Sequence, residues 1–103
     1  MTKDSSGRVS EQSLLILTSL AGGAKHGYAL TKDIESFAGV TLGPGTLYGA
    51  LVRLEEQDLI RPMATQDRRQ PYELTAAGAA LLRARLVDMG EIARIGLGRL
   101  APS

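Results

Sequence analysis

The run Gly43-Pro44-Gly45-Thr46-Leu47-Tyr48-Gly49-Ala50-Leu51-Val52-Arg53-Leu54-Glu55 constrains this chain more than any other stretch, because it reads as a short helix with two unlike faces. At about 100° per residue, Leu47, Ala50, Leu51 and Leu54 fall together and must be buried, whereas Gly45, Tyr48, Gly49 and Val52 point the other way. Gly43 takes the cap position and Pro44 the first helical position, which starts the helix sharply and leaves its first N–H groups free for an anion such as a phosphate. The outer face is smooth, nearly uncharged and led by a tyrosine that no folding requirement explains.

The neighbouring segments give this helix a setting. Upstream, His26-Gly27-Tyr28-Ala29-Leu30 through Phe37 predicts another short helix, with Leu30, Ile34 and Phe37 at inward spacing and Gly39 ending it. Two short helices joined by a Gly-containing turn form a helix-turn-helix. Downstream, Leu59 to Ala64 and Pro71 to Leu74 read as two short strands around the tip Thr65-Gln66-Asp67-Arg68-Arg69-Gln70. Pro62 and Pro71 each remove a ladder donor, so the hairpin is expected to be narrow and edge-like, not the start of a larger sheet. The predicted fold class is therefore mainly α with a small β-hairpin: a winged helix-turn-helix plus a C-terminal helix.

In these motifs the chain resembles the PadR family of bacterial transcriptional regulators. The resemblance rests on Gly27-Tyr28, on Pro44-Gly45-Thr46-Leu47-Tyr48 with Leu51, Arg53-Leu54-Glu55 and Leu59-Ile60, and on Tyr72-Glu73-Leu74-Thr75-Ala76-Ala77-Gly78. It runs from Leu14 onward, and the single helix at the end is similar to the short-tailed branch of that family. There are two departures. Asp58 stands where members commonly carry Gly, at a position expected to need a left-handed backbone, which Asp tolerates at modest cost. Asp67-Arg68-Arg69-Gln70-Pro71 replaces the usual Gly-Arg-Pro-like wing tip while keeping two basic charges.

Composition sets the outer bounds. At 103 residues and 44% hydrophobic content the chain makes one modest core, and 12 basic against 11 acidic side chains leave a formal net charge of +1. Distribution says more: residues 61–85 carry Arg61, Arg68, Arg69, Arg83 and Arg85 against Asp67 and Glu73, while Glu55, Glu56 and Asp58 gather at the far end of the reading helix. There is no cysteine, which removes disulfides and thiolate chemistry and fits a reducing compartment. Met1 to Arg8 is polar and reads as a flexible tail. No apolar run approaches the ~18 residues of a membrane span, so a cytoplasmic protein is expected.

Three regions follow: a tail over 1–9, a winged helix-turn-helix over 10–74 and a dimerisation helix over 75–103. The first helix is expected from about Ser10, its cap, to about Ala21; Leu14-Leu15-Ile16-Leu17 makes it apolar on more than one side, so Leu15 is assigned to a second subunit. The last helix starts at Thr75, a cap, with Gly78 three residues on, where a close approach of backbone or a bulky neighbour is expected. Within it Leu82, Leu86, Met89, Ala93, Gly96 and Leu100 alternate steps of four and three, the spacing of a coiled-coil seam, with Ile92 and Ile95 flanking. Gly90, Gly96 and Gly98 each cost about 1 kcal/mol in a helix interior, so the last turns should fray or need a partner.

Nothing in the sequence builds an enzyme. His26 is the only histidine and suits a capping or surface role; Glu55, Glu56 and Asp58 point in different directions; Ala21-Gly22-Gly23-Ala24-Lys25 lacks the pattern of a phosphate-binding loop and reads as a helix connector. No catalytic residue, metal site or cofactor is assigned.

The resemblance implies a homodimeric regulator, most naturally a repressor, that binds double-stranded DNA at a near-palindromic operator and is released by a small-molecule effector at the dimer interface. Carried onto this sequence, Pro44, Gly45, Thr46, Tyr48, Gly49 and Arg53 line the DNA-facing helix, Lys32 reaches a phosphate, and Arg68 and Arg69 lie along the flanking backbone. With no Trp and one Phe, the chain lacks the aromatic sandwich that grips planar drugs in some short-tailed relatives. The competing reading is a winged-helix protein-interaction module that does not bind DNA, favoured by the near-neutral charge and by Val52 at a position often charged in relatives.

Overall fold

The computed structural model describes residues 9–102. Helix α1 (Glu11–Ala21) is capped by Ser10, whose hydroxyl accepts from the Ser13 N–H at 3.1 Å. Strand β1 (Lys25–His26) leads into α2 (Gly27–Ala38), and α3 (Pro44–Glu56) follows. Strands β2 (Ile60–Pro62) and β3 (Pro71–Leu74) form the wing, and α4 (Ala76–Leu100) closes the chain. Of the tail expected over 1–9, residues 1–8 lie outside the described residues, while Val9 packs against the core.

Helix α1 is the centre of the molecule. Leu14, Ile16, Leu17 and Leu20 meet Leu30 and Ile34 of α2, Leu47, Ala50, Leu51 and Leu54 of α3, and Leu82 of α4 in one buried cluster. Burial of that apolar surface is what holds the short helices together. Most of the apolar surface on α1 is thus spent inside its own chain, and Leu15, expected at a second subunit, is half-buried against this core. Phe37 departs from expectation: it is 46% exposed. The inward stripe of α2 runs through Gly27, Leu30, Ile34 and half-buried Ala38, which leaves Phe37 rotated to the edge.

The sheet is larger than the expected hairpin. It has three strands in the order β1-β3-β2, with His26 opposite Pro71 and Lys25 opposite Tyr72 on one side of β3, and Pro62 opposite Tyr72 and Ile60 opposite Leu74 on the other. A two-residue strand is too short to show alternation, and it came disguised in a glycine-rich connector whose turn is made by Gly23 at φ 139. Lys25 then ties the connector down: its Nζ donates to the Ser19 carbonyl at 2.6 Å and lies 3.9 Å from Asp33, which accepts from the buried Ser19 hydroxyl.

The junction between α3 and α4 is built from backbone. Asp58 has φ 63, the left-handed conformation expected of it. The Leu59 N–H donates to the Leu54 carbonyl and the Asp58 N–H to the Glu55 carbonyl, the paired bonds of a Schellman motif. The Thr75 hydroxyl donates to the Asp58 carbonyl at 2.7 Å, while its oxygen accepts from the Gly78 N–H at 2.9 Å. Gly78 is pressed onto this turn: a Cβ there would overlap the Leu59 carbonyl oxygen.

Helix α4 is continuous to Leu100, with no break at Gly90, Gly96 or Gly98. Its C-terminal half stands clear of the core, giving the described chain an extent of 58 × 34 × 23 Å. No helix among the described residues is long and apolar enough to cross a membrane.

Candidate nucleic-acid interface

The two faces of α3 are as its sequence dictates. Leu47, Ala50, Leu51 and Leu54 are buried, whereas Tyr48 is 54% and Val52 55% exposed, and Pro44, Gly45, Thr46 and Arg53 also face outward. No side chain caps the helix, and Leu47 is the first residue whose N–H closes on Gly43, so the N–H groups of Gly45 and Thr46 are left at the exposed start. Gly49 is half-buried, with the Arg53 guanidinium beside it.

Tyr48 does have a structural neighbour, contrary to expectation. Its ring leans across the start of α2, close enough to Gly27 that a Cβ there would come within 2.8 Å of the Tyr48 hydroxyl. Around it opens a cleft of about 390 Å³ lined by His26, Gly27, Tyr28, Tyr48, Arg68, Arg69, Gln70 and Tyr72. Pairing of β1 with β3 creates this cleft, because it brings the start of α2 alongside the wing. Three residues assigned from sequence meet there: Tyr48, Arg68 and Arg69. His26, Tyr28 and Tyr72 were missed, although the Gly27-Tyr28 motif marked the spot.

The wing tip is shaped by its own polar side chains. The Asp67 N–H donates to the Thr65 hydroxyl, the Arg68 N–H to the Asp67 carboxylate, and the Gln70 amide nitrogen to the Met63 and Pro71 carbonyls. Arg68 and Arg69 remain exposed, and among the described residues no carboxylate oxygen lies within 4.0 Å of either guanidinium. Other basic groups are engaged: Arg61 pairs with Glu73 across the hairpin at 2.7 Å, and Lys32 sits 3.8 Å from Glu35 and 5.7 Å from the Tyr28 ring centroid. Lys32 is half-exposed, outside the cleft lining. Burial first, then Glu55 and Tyr48, push the Tyr72 phenol above its usual 10.0, so it stays a protonated donor at neutral pH.

The residues assigned to a seam on α4 divide in two. Leu82 is 4% exposed and already belongs to its own chain's core, because the first turns of α4 lie on α1; it has little surface left to offer. Leu86, Met89, Ile92, Ala93, Ile95, Gly96 and Leu100 are all exposed. Leu97 shares that exposed face by its helical angle and was not assigned.

Comparison with known proteins agrees with the architecture. The sequence pattern of the transcriptional regulator PadR-like family matches residues 16–84. The chain is 44% identical over 85 residues, 82% of its length, to an uncharacterized 37.1 kDa protein in transposon TN4556 of Streptomyces fradiae, of which the match spans only 25%. Among solved structures it is similar to a PadR family transcription regulator from Clostridium difficile, with TM-score 0.79 and 26% identity over 89% of this chain and 100% of that one. A PadR-like transcriptional regulator from Bacillus cereus has TM-score 0.79 at 19% identity, covering 89% and 93%, and at that identity speaks for the fold alone. A winged helix with an exposed tyrosine-led α3, a basic wing and a long α4, matched by the family pattern over more than half its length, makes this chain a member of the PadR-like family of transcriptional regulators.

Proposed function

We propose that the chain is a homodimeric, cytoplasmic DNA-binding regulator that represses transcription by laying α3 of each subunit in the major groove of a near-palindromic operator. One observation carries this reading. The exposed α3 face bearing Tyr48 and the wing tip bearing Arg68 and Arg69 line a single cleft, so a duplex would meet both surfaces together. Thr46 and Tyr48 lie nearest the DNA. Pro44, Gly45 and Gly49 keep the helix slim enough for close approach, and Lys32, Arg53, Arg68 and Arg69 meet phosphates, which fix position while base edges carry sequence information. Dimerisation through the exposed apolar face of α4 sets the half-sites about 10 bp apart or a small multiple of that. Release by a small ligand rests on family membership alone.

The test is a mobility shift at several salt concentrations, using duplexes that the wild-type protein selects from a random pool. Replacing Arg68 and Arg69 with Ala should weaken all complexes and lower the salt slope by about 0.9 for each phosphate that is no longer neutralised. Failure of the wild-type protein to bind any duplex at low salt would overturn the DNA reading. It would favour an interaction module, which exposed Val52 on α3 suits.

A further inference from the structure

Resting on the DNA-binding reading, we infer that the cleft between α2 and the wing is a seat for one backbone phosphate of DNA, with the Nε2–H of His26 as a donor to it. The lining is unusual in its balance of hydrogen-bonding groups. Arg68 and Arg69 bring guanidinium N–H groups, and Tyr28, Tyr48 and Tyr72 bring phenol hydroxyls, while no Asp or Glu lines the cleft. Gln70 has its amide nitrogen committed to the Met63 and Pro71 carbonyls. A base edge presents donors and acceptors in a mixed pattern, whereas a phosphate presents acceptors only and matches a lining rich in donors.

His26 has its tautomer set by the fold. Its Nδ1 accepts from the Ala29 N–H at 3.4 Å, so in this cap the proton of the neutral ring sits on Nε2, the only donor His26 has left. The charged groups facing the ring across the cleft are Arg68 and Arg69. His26 therefore offers the phosphate its Nε2–H as a positioning residue, and the two arginines supply the charge.

The substitution His26→Asp separates the seat from the cap. Asp is a strong N-cap, so the helix start is kept. Its carboxylate, however, puts a negative charge where the phosphate would lie. With a duplex selected by the wild-type protein, His26→Asp should retain the thermal midpoint, weaken binding by roughly tenfold or more per half-site, and lower the salt slope by about 0.9 per subunit. Methylphosphonate replacement of single phosphates supplies the independent readout. One position per half-site should weaken the wild-type protein and leave His26→Asp no weaker than it already is. Wild-type affinity and slope in His26→Asp, or the absence of any such position, would overturn the seat while leaving DNA binding intact. If the wild-type protein selects no duplex at all, DNA binding and the seat fall together.

Discussion

Gly27 and Tyr48 share one small volume: a Cβ added to Gly27 would stand 2.8 Å from the Tyr48 hydroxyl oxygen and 3.3 Å from the ring carbon that bears it. The missing side chain at the first residue of α2 is what lets the Tyr48 ring lie across the start of that helix. The hydroxyl is the far end of a flexible, half-exposed side chain, so it can move aside at low cost.

Gly27→Ala should therefore leave the thermal midpoint close to wild type. Displacement of Tyr48 is set against a helix-propensity gain of up to about 1 kcal/mol. DNA binding should fall, because the ring is pushed from its resting place in the cleft. Pairing Gly27→Ala with Tyr48→Phe tests the cause: the double substitution should bind no worse than Tyr48→Phe alone. Wild-type affinity in Gly27→Ala would mean that the resting position of Tyr48 is immaterial.

Asp58→Gly should keep or raise the thermal midpoint, by up to about 1 kcal/mol, since glycine adopts φ near 63° without steric cost. The bonds that anchor the turn come from backbone groups of residues 58 and 59 and survive the change. A clear loss of stability on heating would show that the aspartate side chain itself holds the turn.

Gly78→Ala and Gly98→Ala are the same substitution on the same helix and should act in opposite directions. At Gly78 the new Cβ would lie 2.9 Å from the Leu59 carbonyl carbon and overlap its oxygen; backbone cannot step aside, so denaturant titration should show a loss of about 3 kcal/mol. At Gly98 nothing lies within 4 Å and the position faces away from the apolar stripe, so alanine should stabilise, by at most about 1 kcal/mol. Equal effects at the two sites would contradict the packing of α4 on the Asp58–Leu59 turn.

Leu86→Glu should yield a folded monomer. In the single chain Leu86 is exposed, so the charge is solvated there and would be buried without a partner charge only in a dimer. Leu82→Ala acts on the core instead and should cost about 2–5 kcal/mol. Light scattering on Leu86→Glu decides the matter; an unaltered dimer would move the interface off this face of α4.

Much of this protein follows from short-range chemistry that a sequence states openly. Ser10 and Thr75 cap their helices because a hydroxyl reaches the N–H three residues on whatever lies around it. Asp58 goes left-handed and Gly39 ends α2 because the local turn demands a positive φ. The inward set Leu47, Ala50, Leu51 and Leu54 follows from helical period alone. Tertiary structure decided what depends on partners distant in sequence. Lys25 and His26 become a strand only because β3 offers an edge, Phe37 is left outside because the inward stripe of α2 drifts toward Ala38, and Leu82 is taken into the core because α4 begins against α1. The cleft belongs to this second group. Its residues come from the start of α2, from α3 and from the wing, and they meet only because a two-residue strand pairs beside Tyr72. A period of two or of 3.6 residues carries no record of which distant segment will lie alongside, so the parts of the site were legible in the sequence and their meeting was not.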